Sequence, residues 1–201
     1  MALNANALTT LDNFKAILRI PTLDVTQDTR LELWINAASQ LIETLTDRVL
    51  INKTHVQVIN GRRSERIILQ QWPVTTLTEI RIDSNSDFVD ANTILDPDEY
   101  RLQNDQEIVL LSRKFGVGLH NVQVTYDAGY LTIPSDLELA CLHLSEWYEN
   151  LNDNRNIGRS QKSKNSESVQ LLQDVPPIIM TEIMRYKRVQ VPLGEIPILN
   201  G

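Results

Sequence analysis

One cysteine in 201 residues excludes an intramolecular disulfide, so packing and hydrogen bonds alone must hold this chain folded. Cys141 falls among Ala140, Leu142 and Leu144, where a small buried hydrophobe is expected rather than a nucleophile. The lack of paired cysteines fits a reducing compartment. No run approaches the ~18 consecutive apolar residues of a membrane helix. The start, MALNANALTTLDNFK, lacks the basic beginning and long apolar stretch of a signal peptide. The expectation is a soluble protein with no membrane partner.

Catalytic patterns are missing as well. The three histidines, His55, His120 and His143, stand at no ligand spacing to one another or to the cysteine, and zinc requires several such ligands converging. There is no GxSxG, no phosphate-binding GxxxxGK pattern and no locally supported Cys–His pair. FGVGLH (residues 115–120) carries two glycines but leads into a strand instead of opening a helix, so it makes a poor phosphate cradle. The expectation is therefore no enzyme, no catalytic or metal site and no cofactor.

A basic excess is absent too. The net charge is −7, and residues 53–151 alone carry eight basic against fifteen acidic side chains. That middle segment repels a phosphate backbone, which argues against a tight grip on nucleic acid. It suits either simple solubility or a surface that lets DNA pass without holding it. Residues 152–201 reverse the sign, with seven basic and five acidic side chains. The cluster Arg62, Arg63 and Arg66 reads as a solvated tip or as a contact for phosphate or an acidic neighbour.

What the sequence does contain is periodicity. Leu11, Phe14, Ile17 and Leu18 share one helical face behind a capping signal at Thr9, and Pro21 ends that helix. Leu31, Trp34, Ile35, Ala38, Leu41, Ile42 and Leu45 give a broad apolar stripe on a long helix. From His55 the period changes to alternation. HVQVINGRRSERIIL reads as a hairpin around Asn60-Gly61, and EYRLQNDQEIVLL as a second one. Between them SNSDFVDANTILDPDE is a projecting acidic loop, carrying Asp87, Asp90, Asp96 and Asp98 directly after Asp83. A final strand runs through Val122, Val124 and Tyr126. Ser135 then reads as the cap of a helix striped by Leu137, Ala140, Cys141, Leu144, Trp147 and Tyr148.

The expected fold is α+β, mainly a helical bundle of about four helices, near residues 10–19, 28–48, 135–151 and 177–186. A small antiparallel β-sheet or partial barrel is inserted at about 55–127, and residues 1–188 form one domain. The polar stretch 152–168 is expected to be a mobile loop, and 189–201 an extended tail.

The elements LTTLDNFKAIL, LELWINAASQLIETLTDR, WPV, VQVTYDAGY, IPSDLELACLHLSEWY and VPPIIMTEIMRYKR occur in this order over nearly the whole chain. In that order the chain resembles the head–tail connector (adaptor, or head-completion) proteins of tailed bacteriophages. The resemblance implies a homo-oligomeric ring, a dodecamer, assembled in the host cytoplasm and located in the virion neck. It implies a portal protein above, a further neck or tail connector below, and genomic DNA passing without specific binding. The apolar tail residues Val189, Val191, Leu193, Ile196 and Ile198 are then expected to dock onto the portal, and the loop residues Asp83, Asp87, Asp90, Asp96 and Asp98 to face the lumen or the tail. Weighed against this are another neck or tail-completion protein and, from a different class, a nucleic-acid-binding regulator.

Overall fold

The computed structural model describes residues 2–153, 161–164, 167–170 and 175–188. The described helices are α1 (Leu11–Leu18), α2 (Asp28–Thr46), α3 (Ser135–Asp153) and α4 (Pro177–Met184). The strands are β1 (Lys53–Gly61), β2 (Arg66–Ile68), β3 (Val74–Ile82), β4 (Tyr100–Gln103), β5 (Glu107–Leu110), β6 (Gly118–Ala128), β7 (Gln161–Lys164) and β8 (Glu167–Gln170).

The helices form because apolar residues recur at helical spacing and their ends are satisfied. Thr10, not Thr9, caps α1, its hydroxyl accepting from the Asn13 N–H at 3.2 Å. Thr9 instead donates to Glu138 Oε1 of α3 at 2.9 Å, so the two threonines divide local and tertiary work. Likewise α3 opens one residue earlier than a Ser135 cap would give, since the Pro134 carbonyl already accepts from the Glu138 N–H. Helices α2 and α3 lie antiparallel, as the pairs Arg30–Glu149 and Ser39–Cys141 show. Between them Ala38, Ile42, Leu137, Ala140, Cys141 and Leu144 are buried, and α4 adds Ile179 and Ile183. Each large aliphatic side chain so buried contributes about 1.5–3 kcal/mol.

Strands β1 to β6 make two three-stranded antiparallel sheets, ordered β1-β6-β3 and β2-β5-β4. Their inner faces share a second core, built from Ile67, Leu69, Ile80, Ile108, Leu110, Phe115, Val122, Val124 and Tyr126. This overturns the expectation of a helical bundle with a small β insertion. The fold is a mixed α+β one in which a two-sheet sandwich with its own core stands beside the helical layer. The strands are short and many, and their pattern understated how much apolar surface they enclose together.

The expected hairpin around Asn60-Gly61 is also corrected. Strand β1 pairs with β6, and β2 pairs with β5, so Gly61 marks a crossing between sheets. A Cβ at Gly61 would stand 1.8 Å from the Gly116 carbonyl oxygen. The Asn121 side chain fills the crossing, accepting from the Gly61 N–H at 2.6 Å and donating to the Gly116 carbonyl at 3.1 Å. Of the FGVGLH glycines, Gly118 leaves room for that Asn121 side chain, which a Cβ would meet at 2.6 Å, whereas a Cβ on Gly116 would meet nothing within 4 Å. Within the stretch expected to be mobile, β7 and β8 pair as a two-stranded antiparallel ladder.

Sandwich and helical layer meet at a narrow joint. Gly129 has φ +113°, and its N–H donates to the Pro73 carbonyl at 2.9 Å. The Tyr130 N–H donates to the Leu50 carbonyl, and Asn52 N–H to the Tyr130 carbonyl, at 2.7 and 3.2 Å. A side chain at Gly129 would approach the Ile51 carbonyl carbon to 2.6 Å. Arg48, which follows the left-handed Asp47 at the end of α2, closes the joint. Its guanidinium lies 3.5 Å from the Trp72 ring centre and donates to the carbonyls of Trp72 and Tyr186.

Two substitutions test the joint. Gly129→Ala is expected to lose about 2 kcal/mol in urea unfolding, since neither the conformation nor the space admits a methyl group. Arg48→Ala is expected to lose about 3 kcal/mol, because two carbonyls forfeit a charged donor and Trp72 its stacking partner.

Candidate functional site

The structure separates the residues that chemistry would need together. His55 packs beside the Tyr126 ring, 5.7 Å between centres, and its pKa is lowered by desolvation and then by Lys53. His120 lies at the far end of the same sheet, where its N–H donates to Asn60 Oδ1, and His143 sits on α3, 4.0 Å from Glu182. Cys141 is buried with its sulfur 3.5 Å from the Ser39 hydroxyl, and burial pushes its thiol up to about 11. Among the described residues no cluster of three or more His, Cys, Asp or Glu is placed to hold a metal. What remains to be read is surface.

The acidic loop is the first such surface. It connects β3 to β4 and runs back along the free edge of β3, with the Leu95 N–H donating to the Ile80 carbonyl at 2.8 Å. Arg81 clamps it, donating to the Phe88 carbonyl at 2.5 Å while pairing with Glu79. The loop's carboxylates shape its own backbone. Asp83 accepts from the N–H groups of Asn85 and Phe88, Asp87 from Val89, Asp90 from Asn92 and Asp96 from Asp98. Those donors hold the Asp83 carboxyl below the usual carboxylate range, the Asn85 N–H first and the Phe88 N–H next. Asp98 stands exposed on the second of two short 3-10 turns.

The basic cluster forms the second surface. Arg62 and Arg63 are exposed where β1 crosses to β2, and neither has an ion-pair partner among the described residues. Arg66 pairs loosely with Glu107 at 3.4 Å.

A third surface is a cavity of about 300 Å³ lined by Leu41, Leu45, Val175 and Met180, between α2 and the α4 segment. The described chain ends beside it. The Arg188 N–H donates to the Thr46 carbonyl at 2.8 Å, and its guanidinium reaches Asp47 at 2.8 Å. Val189, Val191, Leu193, Ile196 and Ile198 lie outside the described residues.

Sequence patterning missed a set of buried charges. Lys15 is buried and paired with Asp28 at 2.5 Å, and it donates to the carbonyls of Thr22 and Asp24. Glu149 accepts from Trp34 Nε1 at 2.7 Å and from Arg30 at 2.5 Å. Glu43 accepts from the Leu50 N–H and from Asn6. The signal was present in the spacing, because Cys141, Ser145 and Glu149 recur every four residues on the buried face of α3, as do Ser39 and Glu43 on α2.

Because the Asp83 carboxyl is held down in the folded protein, its contribution is full above the unfolded value near 3.8. That contribution disappears as pH falls through the lower folded value. Amide exchange at Asn85 and Phe88 is therefore expected to accelerate in Asp83→Ala at pH 7. The wild type should show the same acceleration only in strong acid.

Comparison with known proteins adds three findings. A family model described as Head completion protein matches residues 7–189. Among solved structures, a chain of the neck of an empty GTA particle, computed with C6 symmetry, superposes with a TM-score of 0.64 at 22% identity. A chain of the neck of the native GTA particle, computed with C12 symmetry, gives 0.61 at 22% identity, and one from the virion of a native gene transfer agent (GTA) particle 0.58 at 20%. In all three the similarity covers 96% of this chain and 96% of the other. Among curated proteins none matches.

Proposed function

We propose that this chain, which belongs to the head completion protein family, is a structural component of the virion neck of a tailed phage. In this reading it joins head to tail as a head-to-tail adaptor. Copies form a ring beneath the portal, extend the DNA channel and present a surface to the next neck or tail component. The observation that carries the reading is the family match over residues 7–189, because it spans both the helical layer and the β sandwich. The likeness to neck chains over 96% of both partners supports the same two-part architecture. The C6 and C12 symmetries of those necks are both satisfied by a ring of twelve, which favours a dodecamer here.

The electrostatics suit a conduit. An acidic surface repels passing DNA, so the genome slides instead of sticking. Portal docking is assigned to Val189, Val191, Leu193, Ile196 and Ile198, which follow directly from the anchored Arg188. No catalytic role is proposed.

Free subunits are expected to be monomeric or weakly associated, since ring closure on a template draws on partner contacts. The decisive measurement is particle size by light scattering with and without purified portal. Wild type is expected to migrate with the portal as a ring, and a chain ending at Arg188 to bind at least tenfold more weakly. Failure of the wild type to join the portal at any concentration would sink the adaptor reading. Undiminished binding of the shortened chain would sink only the tail assignment.

A further inference from the structure

The order of strands places two oppositely charged margins on the sandwich. In one sheet β1 and β3 flank β6, and in the other β2 and β4 flank β5. The crossing from β1 to β2 is short and carries Arg62 and Arg63, with Arg66 opening β2 and the one acid, Glu65, paired with Lys114. Its return is close too, for the Gln70 N–H at the end of β2 donates to Gln57 of β1 at 3.0 Å. So β1 and β2 form one margin. The β3–β4 connection forms the opposite margin and holds six carboxylates without a basic side chain over residues 83–99.

Both margins also expose apolar side chains. Val56 and Val58, on the outward face of β1, are 62% and 43% exposed. Val89 and Ile94, in the acidic loop, are 82% and 41% exposed. Beyond the Gln57 contact no strand pairs with the outer edge of β1 among the described residues. A long edge strand left this way is a template for association unless something covers it.

We infer that the partner covering the β1–β2 margin is a second copy of this chain, docked through its acidic β3–β4 margin. Arg62 and Arg63 of one copy face Asp87, Asp90 and Asp98 of the next, around a centre where Val56 and Val58 meet Val89 and Ile94. The contact is head to tail, so each copy uses one margin to receive and the other to give, and repetition around an axis closes a ring. An apolar centre with a charged rim is the ordinary anatomy of such a surface, and the rim charges set register and partner orientation. The inference rests on the ring reading above and adds to it the faces that touch.

Charge exchange tests it in the full-length protein. The Asp98 carboxylate accepts no hydrogen bond among the described residues, only its backbone N–H donating to Asp96, and Asp87 bonds only neighbours within the loop, so reversing both leaves the sandwich core untouched. R62E/R63E and D87K/D98K are each expected to reduce ring formation on the portal at least tenfold, and the chain carrying all four changes to recover most of it. A second measurement does not depend on reversed charges. A chain with R63C and V89C, treated with a short bismaleimide, is expected to give a ladder of linked multimers, whereas either cysteine alone gives none. Buried Cys141 does not compete for the reagent.

Rings that form normally in both reversed variants would overturn the inference while leaving the ring reading intact, as would reversed variants that the fourfold change does not rescue. A ladder absent from intact rings would overturn it in the same way. A wild type that forms no ring overturns the ring reading itself and this contact with it.

Discussion

The architecture depends on one buried guanidinium. Arg48 cannot shed its charge, because burial lowers its pKa from a starting value too high to matter at neutral pH. A charge in that position must therefore find acceptors, and the chain supplies them from two distant places, the carbonyls of Trp72 and Tyr186. One lies where the sandwich begins its third strand and the other just beyond α4, so a single side chain ties the last helix and the sheets to the end of α2. The Trp72 ring beneath it excludes water and strengthens each of those bonds.

That requirement explains several backbone choices around it. Asp47 takes the left-handed conformation that ends α2, and this turns Arg48 out of the helix and into the joint. Gly129 has no side chain because the chain just past β6 runs within contact distance of Ile51. Polar groups elsewhere in the helical layer follow the same economy. Lys15, Glu43 and Glu149 are buried only where partners receive them: Lys15 ties α1 to the start of α2, and Glu43 and Glu149 link segments far apart in sequence. An apolar replacement of equal volume at these positions could match their stability, but it would not fix which helix faces which.

Periodicity made much of this legible from the sequence. The stripe from Leu31 to Leu45 and the one from Leu137 to Tyr148 are local facts, and a helix is local in its hydrogen bonds. The sheet is not. Asn60-Gly61 carries the residues of a tight hairpin, yet β1 pairs with a strand some sixty residues later, because the core is satisfied only when β6 lies between β1 and β3. Local turn chemistry gave the wrong partner, and it also made the sandwich seem a minor insertion. The buried charges were hidden for a related reason: Glu149 reads as a solvent-facing residue until Trp34 and Arg30 arrive from α2 to receive it. The joint, by contrast, was open to reading, since alternation stops after Tyr126 and a helical stripe starts at Leu137, with Gly129 between them.

The acidic loop shows why a structural and an assembly role need not compete. A carboxylate that accepts a backbone N–H holds the turn, but it keeps its full negative charge, and the donor only makes protonation harder. Asp83 is the clearest case, with its pKa lowered by the same bonds that fold the loop back on β3. Local hydrogen bonding therefore preserves the field that the loop presents outward. It also fixes the positions of the charges, so a neighbour meets a rigid pattern and pays little ordering entropy to match it. A solvated acidic tail of the same net charge would repel DNA equally well but could not specify a register. The turn chemistry that makes this loop look ordinary is what equips it to be a defined surface.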